Sequence, residues 1–406
     1  MAATSTPTPA TLPLRLLRVV AAVAELGSAS RAAGDLHLSV SAVARAVRQA
    51  EMNLGVPLFE RAARGMVVTA PGAVLVARTQ RALSELRLGG GPALAARATD
   101  TMLQTLSAVA ATRSESAAAE RLGVSQPAVH ATLRKLEHAA RLRLLERSRR
   151  GTRLTELGER VLQRANLALA ELRGGHDELT ALLGGAPGHV TVGALPMTSE
   201  LLVPRALLRL FASRPGTLAT VVDGTYEALM QQLRHGEVDL VVGPLRGATR
   251  PTDIDEQVLF VDRLLPVVRS GHPLLAGRGP RSLRALQRGP WVGPLAGTPA
   301  RAAFERAFRA AGVAVPAVVL QANSPSILRA VLQGSDAVAL VSPMQVRADL
   351  AAGQLAVLPV PLTGTERDIG VSVRRGSLPA PAGRALLDAL IAVSAALHGM
   401  PQPGRS

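Results

Sequence analysis

The sequence predicts two tandem all-α winged helix-turn-helix domains followed by an α/β domain of two lobes. Three observations carry that prediction. A helix-turn-helix pattern with an arginine-rich turn occupies Ser114 to Arg164, the same pattern occurs 86 residues earlier, and from His189 onward the apolar period changes from helical to alternating.

In the second copy a short helix, Ala117 to Leu122, runs into Gly123, and Ser125 opens the next helix with Pro127 in its first turn. Ser is a good N-cap, Pro is tolerated where the N–H has no intrahelical partner, and Gly suits the stop of the preceding helix. At 100° per residue Val129, Leu133 and Leu136 share one face. Pro127, Ala131, Arg134 and His138 face the other way, with Gln126 at the helix start and His130 on the flank. Beyond it, Arg147, Arg149, Arg150 and Arg153 crowd a turn around Gly151 between short apolar stretches. Such a turn suits a wing that meets phosphates or a narrow minor groove.

The run SQPAV, then LE, ER, RRGTRLT and a final Gly resembles the winged helix-turn-helix of the LysR-type transcriptional regulators. The resemblance implies that Ser125, Gln126, Pro127, His130 and Arg134 face the major groove while Arg149, Arg150 and Arg153 hold phosphates. His130 departs from the family pattern, which has a small hydroxyl residue there. In the first copy Leu17 answers Leu103, Ser28 answers Ser114, Ser39 answers Ser125, Val43 answers Val129, and Gly72 answers Gly158, without a gap. An internal duplication is the economical reading, so Ser39, Ser41, Arg45, Arg48 and Arg64 become DNA-binding candidates as well. The heads are unequal. Val40 and Ser41 replace Gln126 and Pro127, and Ala50 replaces the stripe residue Leu136, whereas Arg45 and Phe59 fit the family better than Ala131 and Leu145. Whether both heads read DNA, or one grips only backbone or holds a dimer together, stays open at this point.

Length and composition agree. The 406 residues suffice for two to four domains, and 48% hydrophobic content is ample for packed cores. The formal charge of +16 comes almost wholly from Arg, Lys135 being the only lysine, and its sign points to a polyanionic partner. The absence of Cys excludes disulfides, thiol nucleophiles and Cys-ligated metal. The first residues lack the basic start and apolar core of a signal peptide, and no apolar run approaches a bilayer span, so a soluble, cytoplasmic protein is expected.

In chain order, 1–11 reads as a disordered Thr/Pro/Ala-rich tail and 12–88 as the first head with its trailing helix, Val74 to Leu88. A Gly-rich hinge follows at 89–97, where Gly89, Gly90, Gly91 and Pro92 end the helix. The second head spans 98–155 and a linker helix 156–187. In the family that helix pairs with its twin in a dimer, although the break in its seam at Gly174 and Gly175 makes a plain surface helix a competitor. Residues 188–397 then read as strand, helix, strand, helix, strand and onward, with 398–406 as a tail. LRHGEVDLVVGPL is similar to the family's GE-x-D corner, which implies a two-lobed periplasmic-binding-protein-like effector domain. Lobe one is expected at 188–243 and 343–397, lobe two at 244–342, with the helix from Gly383 to Leu397 packing on lobe one.

Ligands of open α/β folds sit at the carboxyl ends of strands. The sequence places Thr198, Ser199, Thr298, Asn323, Ser324 and Ser326 at strand-to-helix junctions, and GTPAR is similar to a family segment that contacts effectors. A small acidic effector, such as a carboxylate, is the expected ligand. Trp291 and Tyr226 read as packing. The eight histidines lie without ligand spacing, and no HExxH, GxSxG or Walker loop occurs, so no catalytic residue, metal or cofactor is expected. The function read from these features is a sequence-specific regulator of transcription binding double-stranded DNA as a homo-dimer or homo-tetramer. An enzyme of the two-lobed fold carrying DNA-binding heads and an architectural DNA binder without ligand are the alternatives. A doubled head could also supply, within a dimer, the four heads that family tetramers present.

Overall fold

The computed structural model describes residues 12–62, 65–148, 151–185, 188–276 and 282–398. The tails expected at 1–11 and 399–406 lie outside these residues, as do Arg64, Arg149 and Arg150 of the expected wings.

The first head comprises α1 (Leu14–Leu26), α2 (Ala29–Asp35), α3 (Val40–Leu54), the antiparallel pair β1 (Phe59–Ala62) and β2 (Gly65–Val68), and α4 (Ala70–Arg97). The second comprises α5 (Asp100–Thr112), α6 (Glu115–Leu122), α7 (Gln126–Ala140), β3 (Leu145–Ser148), β4 (Gly151–Leu154) and α8 (Glu156–Leu182). Each head thus carries a two-stranded wing, which corrects the all-α expectation. Such short strands need only the glycine turn and the packing of the preceding helix.

The heads repeat down to single hydrogen bonds. Glu51 Oε1 accepts the Leu58 N–H at 2.9 Å, and Glu137 Oε1 accepts the Leu144 N–H at 2.8 Å. Thr69 donates to the Pro57 carbonyl and Thr155 to the Arg143 carbonyl, both at 2.8 Å, while each Thr caps the following helix. Gly72 and Gly158 lie where a Cβ would stand 2.3 Å and 2.1 Å from the carbonyl oxygens of Leu58 and Leu144. Only Gly fits beside a backbone at that distance.

α4 and α8 lie side by side and antiparallel. Arg78 Nη1 meets Glu171 Oε2 at 2.8 Å, and the equivalent pair, Arg164 Nη1 and Glu85 Oε2, meets at 2.6 Å. A Cβ at Gly175 would come within 3.0 Å of Arg78 Cβ, and one at Gly89 within 2.8 Å of Arg164 Cβ. Gly174 and Gly175 are therefore points of close approach inside an unbroken helix. The helix that α8 packs along is α4 of the same chain, so α8 is not the plain surface helix considered from the sequence. Each helix also completes the other head's core. Leu86 and Leu94 of α4 sit among Leu103, Leu133 and Leu136, and Leu179 of α8 sits among Leu17, Val43 and Leu58.

The hinge expected at 89–97 is instead a packed corner. The helical path breaks at Gly90 and Gly91, the latter at φ 79°, and resumes through Arg97. Leu94 and Ala95 are buried there, and Arg18 donates to the carbonyls of Ala95 and Ala98. Burial between the heads lowers the Arg18 pKa to about 10 despite the nearby Asp100.

The remainder forms two sheets. The first is built from β5 (His189–Ala194), α9 (Leu202–Ser213), β6 (Leu218–Asp223), α10 (Tyr226–Arg234), β7 (Leu240–Pro244) and β8 (Ile254–Arg263). The chain crosses at Leu264 into β9 (Leu265–Arg269), α11 (Leu283–Leu286), β10 (Trp291–Gly293), α12 (Pro299–Ala310), β11 (Val318–Gln321), α13 (Pro325–Gly334), β12 (Val338–Val341), α14 (Arg347–Ala351) and β13 (Leu355–Val357). It returns through β14 (Glu366–Arg374) to α15 (Pro381–His398), which packs with α9 in the first lobe's core. The strand orders are β6-β5-β7-β14-β8 and β11-β10-β12-β9-β13, each with a parallel trio and antiparallel returns. The lobe boundaries expected at 244 and 342 are therefore displaced. β8 pairs antiparallel with β14 in the first sheet, and β13 pairs with β9 in the second. The apolar alternation of β8 does not reveal which sheet it joins, because β14, its partner, lies a hundred residues downstream.

Candidate nucleic-acid interface and ligand cleft

α7 begins at its cap, Ser125, whose side chain accepts the Ala128 N–H, and its stripe Val129, Leu133 and Leu136 is buried. Ser125, Gln126, Pro127 and Arg134 are exposed on the opposite edge, and Arg153 is exposed on β4. His130 is only half-exposed, its Nδ1 lying 3.1 Å from Glu115 Oε2 on α6. It ties the two helices of the motif together as well as flanking the free edge. In the first head Ser39 caps α3 by accepting the Ala42 N–H at 3.1 Å and lies 3.0 Å from the Ser41 hydroxyl. Ser39, Ser41, Arg45 and Arg48 are all exposed. Each head therefore presents a capped helix with a buried stripe and a free polar edge.

A cavity of about 260 Å³ lies between the lobes. It is lined by segments following strand ends, among them Leu195 to Met197 after β5, Gly224 to Glu227 after β6, Arg246 after β7, Pro294 to Thr298 after β10, and Ala322 and Asn323 after β11. Two of the six hydroxyl and amide candidates, Thr298 and Asn323, line it. Thr298 caps α12, accepting the Arg301 N–H at 3.1 Å and donating to the Leu295 carbonyl at 2.7 Å. The other four do not line the cavity. Thr198 is fully buried and donates to the carbonyls of Leu195 and Val242, Ser199 donates to Asp223, Ser324 caps α13, and Ser326 is exposed within that helix. Thr198 does not cap α9 either, since the residue preceding that helix is Leu201.

The sequence reading missed the cavity's charged residues. Arg246 lines it, stacks over Tyr226 at 4.2 Å from the ring centroid, and donates across the cleft to the Gly297 carbonyl at 2.6 Å. Tyr226 Oη is buried with no hydrogen-bond partner among the described residues. Burial and nearby Glu256 raise its pKa, which keeps it a neutral phenol able to donate. Arg367 also lines the cavity but is committed to Asp262, 2.8 Å away in a buried pair. Outside the cavity a second contact bridges the lobes, Arg329 Nη1 to Glu200 Oε2 at 2.8 Å. The signal that could have pointed to Arg246 is its place directly after the GE-x-D strand, at the end of the parallel trio. Among the described residues no cluster of three His, Cys, Asp or Glu could hold a metal ion, and no helix is long and apolar enough to cross a membrane.

The model of the LysR substrate binding domain matches residues 183–395, and that of the bacterial regulatory helix-turn-helix of the lysR family matches twice, at 14–73 and 101–159. The chain is 37% identical over 382 residues to the HTH-type transcriptional regulator GalR of Pseudomonas putida KT2440, covering 92% of this chain and 95% of that one. It is 36% identical over 277 residues to the regulator PcaQ of Agrobacterium fabrum C58, covering 68% and 89%. Among solved structures, full-length CbnR with its target DNA aligns at TM-score 0.52 and 21% identity over 72% of this chain and 99% of that one. A full-length OxyR variant from Pseudomonas aeruginosa aligns at 0.55 and 22%, covering 71% and 93%.

Proposed function

The chain belongs to the LysR-type transcriptional regulators, and we propose that the effector governing it is a small carboxylate held in the cavity between the lobes. The observation that carries this reading is Arg246. It is a cation on the wall of a concave, mostly apolar site, beside a buried phenol without a hydrogen-bond partner among the described residues. A few polar groups converging on an apolar cleft are what small-ligand sites require. An acid bound there would take Arg246 from the Gly297 carbonyl, with Tyr226, Thr298 and Asn323 supplying hydrogen bonds. Because Arg246 reaches across the cleft, occupancy would change how the lobes are held, and a ligand with different affinity for two arrangements shifts their populations. We read the cavity as a binding site rather than a catalytic one, since no nucleophile paired with a base lies among the residues named. Action on DNA in the cytoplasm, by chains joined through their effector domains, completes the proposal.

Titration of the full chain with a panel of small mono- and dicarboxylates and the matching amides tests it. Acids should bind and amides should not, Arg246→Gln should abolish the binding, and Thr298→Val should blunt the effect of the acid on DNA affinity while leaving apo binding intact. Equal binding of an acid and its amide would remove charge recognition from the site. A footprint on DNA from the gene's own locus at moderate salt separates specific regulation from architectural binding, in which phosphate contacts alone would act.

A further inference from the structure

We infer that one chain carries a complete two-headed reading unit, and that the operator it reads is a pair of unlike half-sites rather than a palindrome. This rests on the DNA-binding reading above and goes beyond it.

The helix pair has its own two-fold axis. Position 78 faces positions 171 and 175, and position 164, its equivalent 86 residues on, faces 85 and 89. The same two residue types make the same ion pair on either side of that axis. A two-fold head pair is the arrangement by which dimers match the dyad of duplex DNA. Here it is built within one chain, and the seam is occupied: Ala82 and Leu86 of α4, with Ala165, Ala168 and Leu179 of α8, are fully buried. A second copy's helix has no place in it. α4 runs unbroken from Ala70 to Gly89, roughly 30 Å of helix lying against α8, with a head toward each end.

The axis relates unlike reading edges. Val40, Ser41, Ala44 and Arg45 of α3 correspond to Gln126, Pro127, His130 and Ala131 of α7, while the pairs Ser39 and Ser125, and Arg48 and Arg134, agree. Palindromic operators follow from identical heads. Two heads differing in four of these six positions present different donors and acceptors to the base edges, so each half-site should carry its own sequence.

The test is selection by the full-length chain from a random duplex pool of about 40 base pairs, enough for two half-sites a turn or two apart. A non-palindromic consensus with two separated blocks is expected, and stoichiometric titration should reach one selected duplex per chain, whatever the chain's oligomeric state. Arg45→Ala should weaken discrimination about 10–100-fold in one block only, and Arg134→Ala by a similar factor in the other. A palindromic consensus, one duplex per two chains, or both variants affecting the same block would overturn the inference. Failure to enrich any sequence would instead defeat sequence-specific regulation itself, and this inference with it.

Discussion

The two heads share one backbone plan and differ in what surrounds equivalent residues. Arg78 and Arg164 occupy the same position and pair with the same partner, yet the Arg78 side chain is 4% exposed and the Arg164 side chain 36%. The effector domain makes the difference. Arg78 also meets Glu178 at 2.9 Å and donates to the Leu378 carbonyl at 2.8 Å, so α4, α8 and the segment before α15 converge on it. Burial disfavours its charge, but hydrogen bonds to Glu178 and Glu171 outweigh that and raise its pKa. Sequence identity at a position does not imply equal energetic weight, because the weight depends on how much water remains.

The sharpest way to break the comparison is to remove each arginine. Arg78→Met strands two partly buried carboxylates and should cost about 3 kcal/mol or more of stability. Arg164→Met, at the exposed pair, should cost under about 1 kcal/mol. Urea unfolding of both variants checks this, and equal losses would mean that the surroundings do not matter. Next in size are the glycines facing those arginines. Gly175→Leu presses on Arg78, which is held on three sides and cannot swing away, so a loss of about 2 kcal/mol is expected. Gly89→Leu meets the Cβ of Arg164, 2.8 Å away and one bond from the backbone, so exposure of the guanidinium gives no relief and a loss of about 2 kcal/mol is expected there too by the same measurement.

The wings differ by charge. Val67, 54% exposed, stands where the second head has Arg153. Arg153→Val should lower the slope of log affinity against log salt by about 0.9, and Val67→Arg should raise it by a similar amount. Unchanged slopes in salt-dependent binding would place both wings away from phosphates. The smallest effect should come from His130, whose contact with Glu115 replaces the pair Ala44 and Ala29 of the first head. His130→Ala should lower the stability by under about 1 kcal/mol, read as a modest shift of the unfolding midpoint.

What was legible in the chain was whatever is settled within a few residues. Ser125 and its counterpart Ser39 cap the helices that follow them, the stripe of Val129, Leu133 and Leu136 is buried, and the 86-residue offset reproduces individual hydrogen bonds. Caps and stripes are local, so spacing alone reveals them. The cleft was only partly legible. A hydroxyl at a strand-to-helix junction satisfies the same local rule whether it faces a ligand or its own backbone, and Thr198 and Thr298 were separated only by how the lobes approach each other. The pairing of α4 with α8 lay furthest out of reach. Two glycines that weaken a helical seam in sequence become the sites of closest contact once an arginine from residues far upstream lies over them, and only the folded chain supplies that arginine.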